Sequence, residues 1–169
     1  MISAFATLPL LAGAQECDCP NVPDEVSWRT VKDYKDSEPL VKRSLDWLCS
    51  HGMNECGAHR ESLNSYVLLW LSESPYLKVH MNTAVLPFLD DDSDLVFIML
   101  HSMALYQLRH PKENDPMVIH TESIKLLLGV VKETKRYPFN KSLKPFRKMN
   151  RKNDLESYVR KNWKRETGL

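Results

Sequence analysis

Apolar positions return every three or four residues through most of this chain, and the runs that keep this period are bounded by residues suited to start or stop a helix. Leu40, Val41, Leu45 and Leu48 follow Ser37, a good N-cap, with Glu38 and Pro39 fitted to a first turn, which predicts a helix over 38–50. Leu63, Tyr66, Val67, Trp70 and Leu71 form the apolar side of a second helix from 58 to 72, ended by Pro75. Leu77, Val79 and Met81 alternate as a strand would, but no partner strand is visible, so 76–82 is read as an extended connector leading to a short helical turn over 84–89. From 93 to 109 the residues Leu95 to Leu100 are apolar all round, the mark of a helix buried on most sides.

Asp115 and Pro116 are suitable N-cap and N1 residues for the next helix, whose Val118, Ile119, Ile124, Leu127, Leu128 and Val131 supply core. The short 110–115 connection sets this pair antiparallel. Two shorter helices follow Pro138. Ser142 is placed to cap the first, with Pro145 in its opening turn, and Asn153 with Glu156 approximates a capping box for the last. Leu155, Tyr158, Val159 and Trp163 share one face of that terminal helix.

The first fourteen residues carry no charge. An apolar stretch from Ile2 to Leu11 precedes Ala12-Gly13-Ala14, small residues of the kind signal peptidase grips, although the usual basic residues ahead of the stretch are missing. The expectation is a cleaved signal peptide over 1–14, a Cys-bearing arm over 15–36 beginning at Gln15, and a helical domain over 37–169. Leu95 to Leu108 is interrupted by His101, Ser102 and Gln107, so no segment reads as a membrane span. A length of 169 residues suits one core, and 43% apolar with 27% charged residues is ordinary for a globular chain. Five glycines argue against Gly-rich phosphate loops and a turn-dense β sandwich. The predicted fold is all-α, a single compact bundle of five to seven helices.

All four cysteines, Cys17, Cys19, Cys49 and Cys56, lie in the first third of the chain. In an exported protein an even count points to disulfides. Bridging Cys17 to Cys19 would close a very tight loop, so each is expected to cross to Cys49 or Cys56. The rival is zinc, with His51 and His59 adding to the ligand types present, but neither a CxxC pair nor a haem-attachment signature occurs.

The segment Trp47-Leu48, then Ser65 through Pro75 with its Trp-Leu-Ser-Glu-Ser-Pro helix end, then the buried helix and basic C-terminal helices, resembles small exported helical proteins of the Bacteroidetes group. The likeness covers roughly residues 40 to 163. It implies export and an all-α fold, and it brings no activity, cofactor or functional residue.

Three constellations invite a chemical reading. Asp90, Asp92 and Asp94 hold positions one, three and five of a calcium loop, but Leu95 and His101 stand where that loop needs Gly and Glu, so capping of the following helix is the better account. His80, His101 and His120 lie in or beside apolar segments and would serve metal binding or proton transfer if they converged, yet no zinc-protease pair or nucleophile elbow accompanies them. No catalytic, cofactor-binding or metal residue is therefore assigned. Charge is the most informative of the three. Residues 1–131 hold 10 Lys and Arg against 18 Asp and Glu, and residues 132–169 hold 13 against 4, so the overall +1 hides two opposite poles. Arg147, Lys148, Arg151, Lys152, Arg160, Lys161 and Lys164 are the expected contributors to an anionic-partner surface, the alternative being that the basic tail is a solvated face or packs across the acidic body of its own fold.

The functional expectation is an exported binding or structural module of the cell envelope, periplasmic or extracellular if bacterial. Its partner would be an anionic envelope component or an acidic protein, and nucleic acid is disfavoured by export. The alternative is an enzyme or metal-dependent protein with a site built from dispersed His and carboxylate residues, which a cleft joining His101, His120 and an acid would favour.

Overall fold

The computed structural model describes residues 17–53, 55–91, 93–133 and 141–163. Among them six α-helices occur and no strand: α1 (Val31–Ser50), α2 (Gly57–Glu73), α3 (Ser93–Arg109), α4 (Pro116–Glu133), α5 (Lys144–Lys152) and α6 (Leu155–Asn162), with two 3-10 turns at Thr83–Val85 and Pro87–Asp91. The signal-peptide reading over 1–14, the capping role expected of the Asp90 to Ser93 run, and Lys164 lie outside the residues or side chains described.

α1 starts seven residues before the predicted start. Thr30, in extended conformation, is its N-cap and Asp33 closes a capping box. The Thr30 hydroxyl accepts from the Asp33 N–H at 3.3 Å, and the Asp33 carboxylate accepts from the N–H groups of Thr30 at 2.8 Å and Arg29 at 2.9 Å. Ser37, expected to cap, lies inside the helix. Its hydroxyl donates to the Tyr34 carbonyl at 3.0 Å and accepts from the Trp70 indole N–H at 2.9 Å. Pro39 also falls inside α1, where it removes a backbone donor. The turn before it persists because Tyr34 is buried against Trp70 and Trp28, at ring separations of 6.0 and 5.5 Å. Tertiary burial overrides the local helix-start signal.

α3 is the hub. Leu95, Ile98, Met99 and Met103 pack with Ile124, Leu127, Val131 and, from the 3-10 turns and the residue between them, Val85, Leu86 and Phe88 in one core cluster. Ala104, Leu105 and Leu108, one turn onward, join Val41, Leu45, Leu48, Leu63, Val67 and Trp70 of α1 and α2 in a second. α3 and α4 share the most extensive helix contact, as the predicted pairing requires. Arg109 at the end of α3 is paired with Asp46 of α1.

Beyond residue 140, α5 and α6 fold back over the first cluster through Leu143, Phe146, Leu155 and Val159. Phe146 meets Phe88 edge-on at 4.7 Å and Tyr158 at 5.3 Å. The predicted caps differ here. Leu143, not Ser142, holds the N-cap position of α5. Asn153 adopts the left-handed conformation (φ 59°) that terminates α5, so it cannot open α6, and Asp154 takes that position without a side-chain cap bond. Glu156 pairs with Arg160 instead.

The N-terminal arm is fastened to this body. Cys17 and Cys56 are bonded, with Cα atoms 6.0 Å apart, and Cys56 is the left-handed residue at the start of α2. The Trp47 indole N–H donates to the Asp18 carbonyl at 2.8 Å. Cys19 and Cys49 are free thiols, which corrects the expectation that each arm cysteine crosses to the body. Cys19 lines a shallow hollow beside Arg43, Asp46 and Arg109, whereas Cys49 belongs to a different cavity with Arg60 and His101. No described helix is long and apolar enough to cross a membrane.

Candidate functional site

α5 is built of two unlike faces. Phe146 is buried and Met149 packs against the core, which turns Lys144, Arg147, Lys148, Arg151 and Lys152 to the other side at i, i+3, i+4, i+7 and i+8. Lys144, Lys148, Arg151 and Lys152 are exposed and Arg147 is partly buried. Lys144 was not among the residues picked out from charge clustering, although this spacing was enough to find it. On α6, Lys161 is exposed. Arg160 is differently engaged: its guanidinium holds Asp115 at the N-cap of α4 at 3.2 Å and Glu156 at 2.9 Å. The Asp115 carboxyl lies below its usual range, first through the Met117 N–H and then through Arg160. One of the expected surface cations is therefore an internal tie between the basic and acidic parts of the chain.

The histidines do not converge. His120 Nε2 accepts from the buried Asn82 N–H at 2.9 Å, which leaves Nδ1 as the protonated nitrogen donating to the Pro116 carbonyl at 2.7 Å. Trp163 meets the ring edge-on at 4.9 Å, and burial holds the imidazole below its usual pKa. His120 thus fastens the 3-10 segment to α4. His80 is exposed. The His101, His120 and carboxylate cleft that would favour a dispersed catalytic site is not formed by these two histidines. Among the described residues no group of three His, Cys, Asp or Glu is arranged to hold a metal, and the Cys17–Cys56 bond removes two thiolates from the zinc alternative.

His101 belongs to another constellation. Leu48 and Cys49 of α1, Met53 of the following loop, Arg60 and Asn64 of α2, and Asp94, Phe97, Ile98 and His101 of α3 line a cavity of about 160 Å³. Arg60 is buried, at 5% exposure, and stacks over Trp47 at 5.1 Å. Its Nη2 donates to the His51 and Gly52 carbonyls at 2.7 and 3.0 Å, so it also closes the end of α1. Among the described residues no carboxylate forms an ion pair with it, although Glu55 lies close enough to oppose the lowering of its pKa by burial. Arg60 Nε, Asn64 Oδ1, His101 Nε2 and Ser102 Oγ are enclosed and have no hydrogen-bond partner among the described residues. Burial, and secondarily the Arg60 charge, holds His101 down to about 4, so it is neutral at pH 7. Burial pushes the Cys49 thiol up to about 12. The Ser102 hydroxyl lies beside that thiol without the geometry of a hydrogen bond.

A larger hollow of about 570 Å³ is an open groove between arm residues such as Val22 and Val26 and the α2 residues Ser62, Tyr66 and Leu69. None of the enclosed unpartnered atoms belongs to its lining. No protein-family model, no curated protein and no solved structure matches the chain.

Proposed function

We propose that this protein is an exported helical binding module that docks onto an anionic component of the cell envelope through the basic face of α5, extended by Lys161. The observation that carries this reading is the set of five cations at i, i+3, i+4, i+7 and i+8 on a nine-residue helix whose opposite side is anchored in the core. Like charges at these spacings repel by a few tenths of a kcal/mol per pair, and an anionic partner relieves that repulsion. Because the helix is held by Phe146 and its aromatic neighbours, the charges are presented on a fixed scaffold. The Cys17–Cys56 bond supports an oxidising, exported location. Such a location makes envelope polymers and lipid headgroups more accessible partners than nucleic acid.

The test is retention on dextran sulfate and on phosphatidylglycerol vesicles, comparing the native chain with a Lys148→Glu, Arg151→Glu, Lys152→Glu variant. The reading expects binding that falls steeply as salt approaches ~1 M, where the Debye length is about 3 Å, and that the variant abolishes without a change in thermal stability. Loss of stability with unchanged retention would assign the same residues to internal charge pairing instead. Retention on neither probe, or retention indifferent to salt and charge reversal, overturns the reading.

A further inference from the structure

The N-terminal arm is fastened beside α2 at both ends but stands away from it in between. At one end the Cys17–Cys56 bond ties it to the start of α2, and at the other the Trp28 ring meets the Tyr66 ring at 5.4 Å. Val22 and Val26 pack against the core between these points, which fixes the course of the arm. The two walls, over 20–26 and 58–69, nevertheless enclose the open groove of about 570 Å³. Its charge is one-sided: Asp24 and Glu61 line it and no Lys or Arg does. Both carboxylates are exposed, and among the described residues neither has an ion pair or a hydrogen bond. The backbone of 20–28 is equally free, because no hydrogen bond from the described residues reaches its N–H or C=O groups. Leu69, 42% exposed, adds an apolar footing beside Val22, Val26 and Tyr66.

We infer that this groove docks an extended segment of a partner protein in which Lys or Arg alternates with aliphatic residues. Successive side chains of an extended chain point to opposite sides, so such a segment sets its aliphatic residues against Leu69, Val22 and Val26 and its cations toward Asp24 and Glu61. Its main chain pairs with the free N–H and C=O groups of the arm, as in recognition by strand addition. From Ala58 to Leu69 the helix runs about 16 Å at ~1.5 Å per residue, the length of about five residues of extended chain at ~3.3 Å each. A small molecule would keep much of its surface in water here, whereas small-ligand pockets cover most of theirs. Because the disulfide and Trp28 already hold the wall in place, docking does not have to order it, which lowers the cost of binding. The site is separate from the basic face of α5 and does not depend on that reading.

The test titrates the native, disulfide-intact chain into the peptide Lys-Val-Lys-Val-Lys, fluorescein-labelled at its N-terminus and amidated at its C-terminus, read by anisotropy, with amide NMR locating the site. Three control peptides separate the contributions: Glu-Val-Glu-Val-Glu, pentalysine, and the Lys-Val peptide with both Val nitrogens methylated. The expected result is saturable binding of the Lys-Val peptide that weakens as salt rises, with amide shifts confined to 20–28 and 58–69. Each control should bind at least about tenfold more weakly, since it lacks the charge, the aliphatic anchors or the main-chain donors. Asp24→Lys combined with Glu61→Lys should weaken binding by a similar factor, and Ser65→Trp, which fills the groove from an exposed position on α2, should do the same. Circular dichroism and melting temperature of both variants should stay native, because none of these side chains is buried. Absence of saturable binding, either control of altered composition binding as tightly as the Lys-Val peptide, or binding unchanged in both variants overturns the inference. Shifts centred on α5 overturn it as well. A dimer in sedimentation that the Asp24→Lys, Glu61→Lys variant dissociates assigns the groove to a second copy of this chain, and so overturns a separate partner.

Discussion

Lowering the pH from 7 to 4 should weaken this fold through His101, and the amount follows from where the ring sits. The imidazole is 4% exposed and is packed among groups from three helices: Arg60 from α2, Cys49 from α1, and Asp94 on its own helix. Burial and the Arg60 charge both oppose a proton, and together they hold it from the usual 6.5 down to about 4. The unfolded chain accepts that proton at the ordinary value, so below about 6.5 it binds more protons than the folded chain. Stability is therefore fully present above pH 6.5, is lost progressively as the pH falls, and the loss levels off near pH 4 once the folded ring protonates too. The difference between the two values corresponds to about 3 kcal/mol. Against a total of roughly 5–15 kcal/mol for a domain, that is a large share.

His120, whose pKa is also lowered by burial, contributes in the same direction, so wild type alone does not isolate His101. The comparison is with His101→Gln, measured by urea unfolding at intervals between pH 7 and 4. Gln does not titrate, so whatever its stability at pH 7, the variant should lose about 3 kcal/mol less than wild type across this range. Parallel curves for the two proteins, or an imidazole NMR titration placing His101 near 6.5, would refute the reasoning.

Three further outcomes are expected. Cys17→Ser should cost about 4 kcal/mol on the chain-entropy view, because the bond closes a loop with a sequence separation of 39, and thermal melts with and without reductant check this. Alkylation of the unreduced folded protein, read by peptide mass mapping, should label Cys19 and spare Cys49, whose thiol is pushed up to about 12 by burial; equal labelling of both contradicts the placement of Cys49. His120→Leu should destabilise by about 1–3 kcal/mol, since it removes the ring nitrogen that accepts from the buried Asn82 N–H, and faster hydrogen exchange at that amide identifies the cause.

Much of the helical order was legible without coordinates. The predicted 93–109 segment coincides with α3, the Asp115–Pro116 start agrees with α4, and the second helix was placed within a residue of α2 at both ends. These elements are encoded by apolar period and by capping residues a few positions apart, which are local properties of the sequence. The segregation of charge was equally legible, and the i, i+3, i+4 spacing of the α5 cations required no fold to be seen. A local signal was also present but overlooked at Thr30 and Asp33, whose three-residue spacing marks the true start of α1.

Where a local signal competed with packing, packing decided. Ser37 with Pro39 has the composition of a helix start, but burial of Tyr34 against Trp28 and Trp70 carries α1 through it. Asn153 has the composition of an N-cap and instead closes the preceding helix. Four cysteines permit several pairings, and only the path of the arm along α1 and α2 selects Cys17 with Cys56. The cavity between α1, α2 and α3 lay furthest from the reach of the sequence, because Cys49, Arg60, Asn64 and His101 come from three helices and no spacing among them is periodic. Sequence alone established the order of the helices, most of their extent and where charge collects, since these depend largely on near neighbours. Tertiary structure alone determined which buried polar groups meet and which are left without partners, because that depends on contacts between residues distant along the chain.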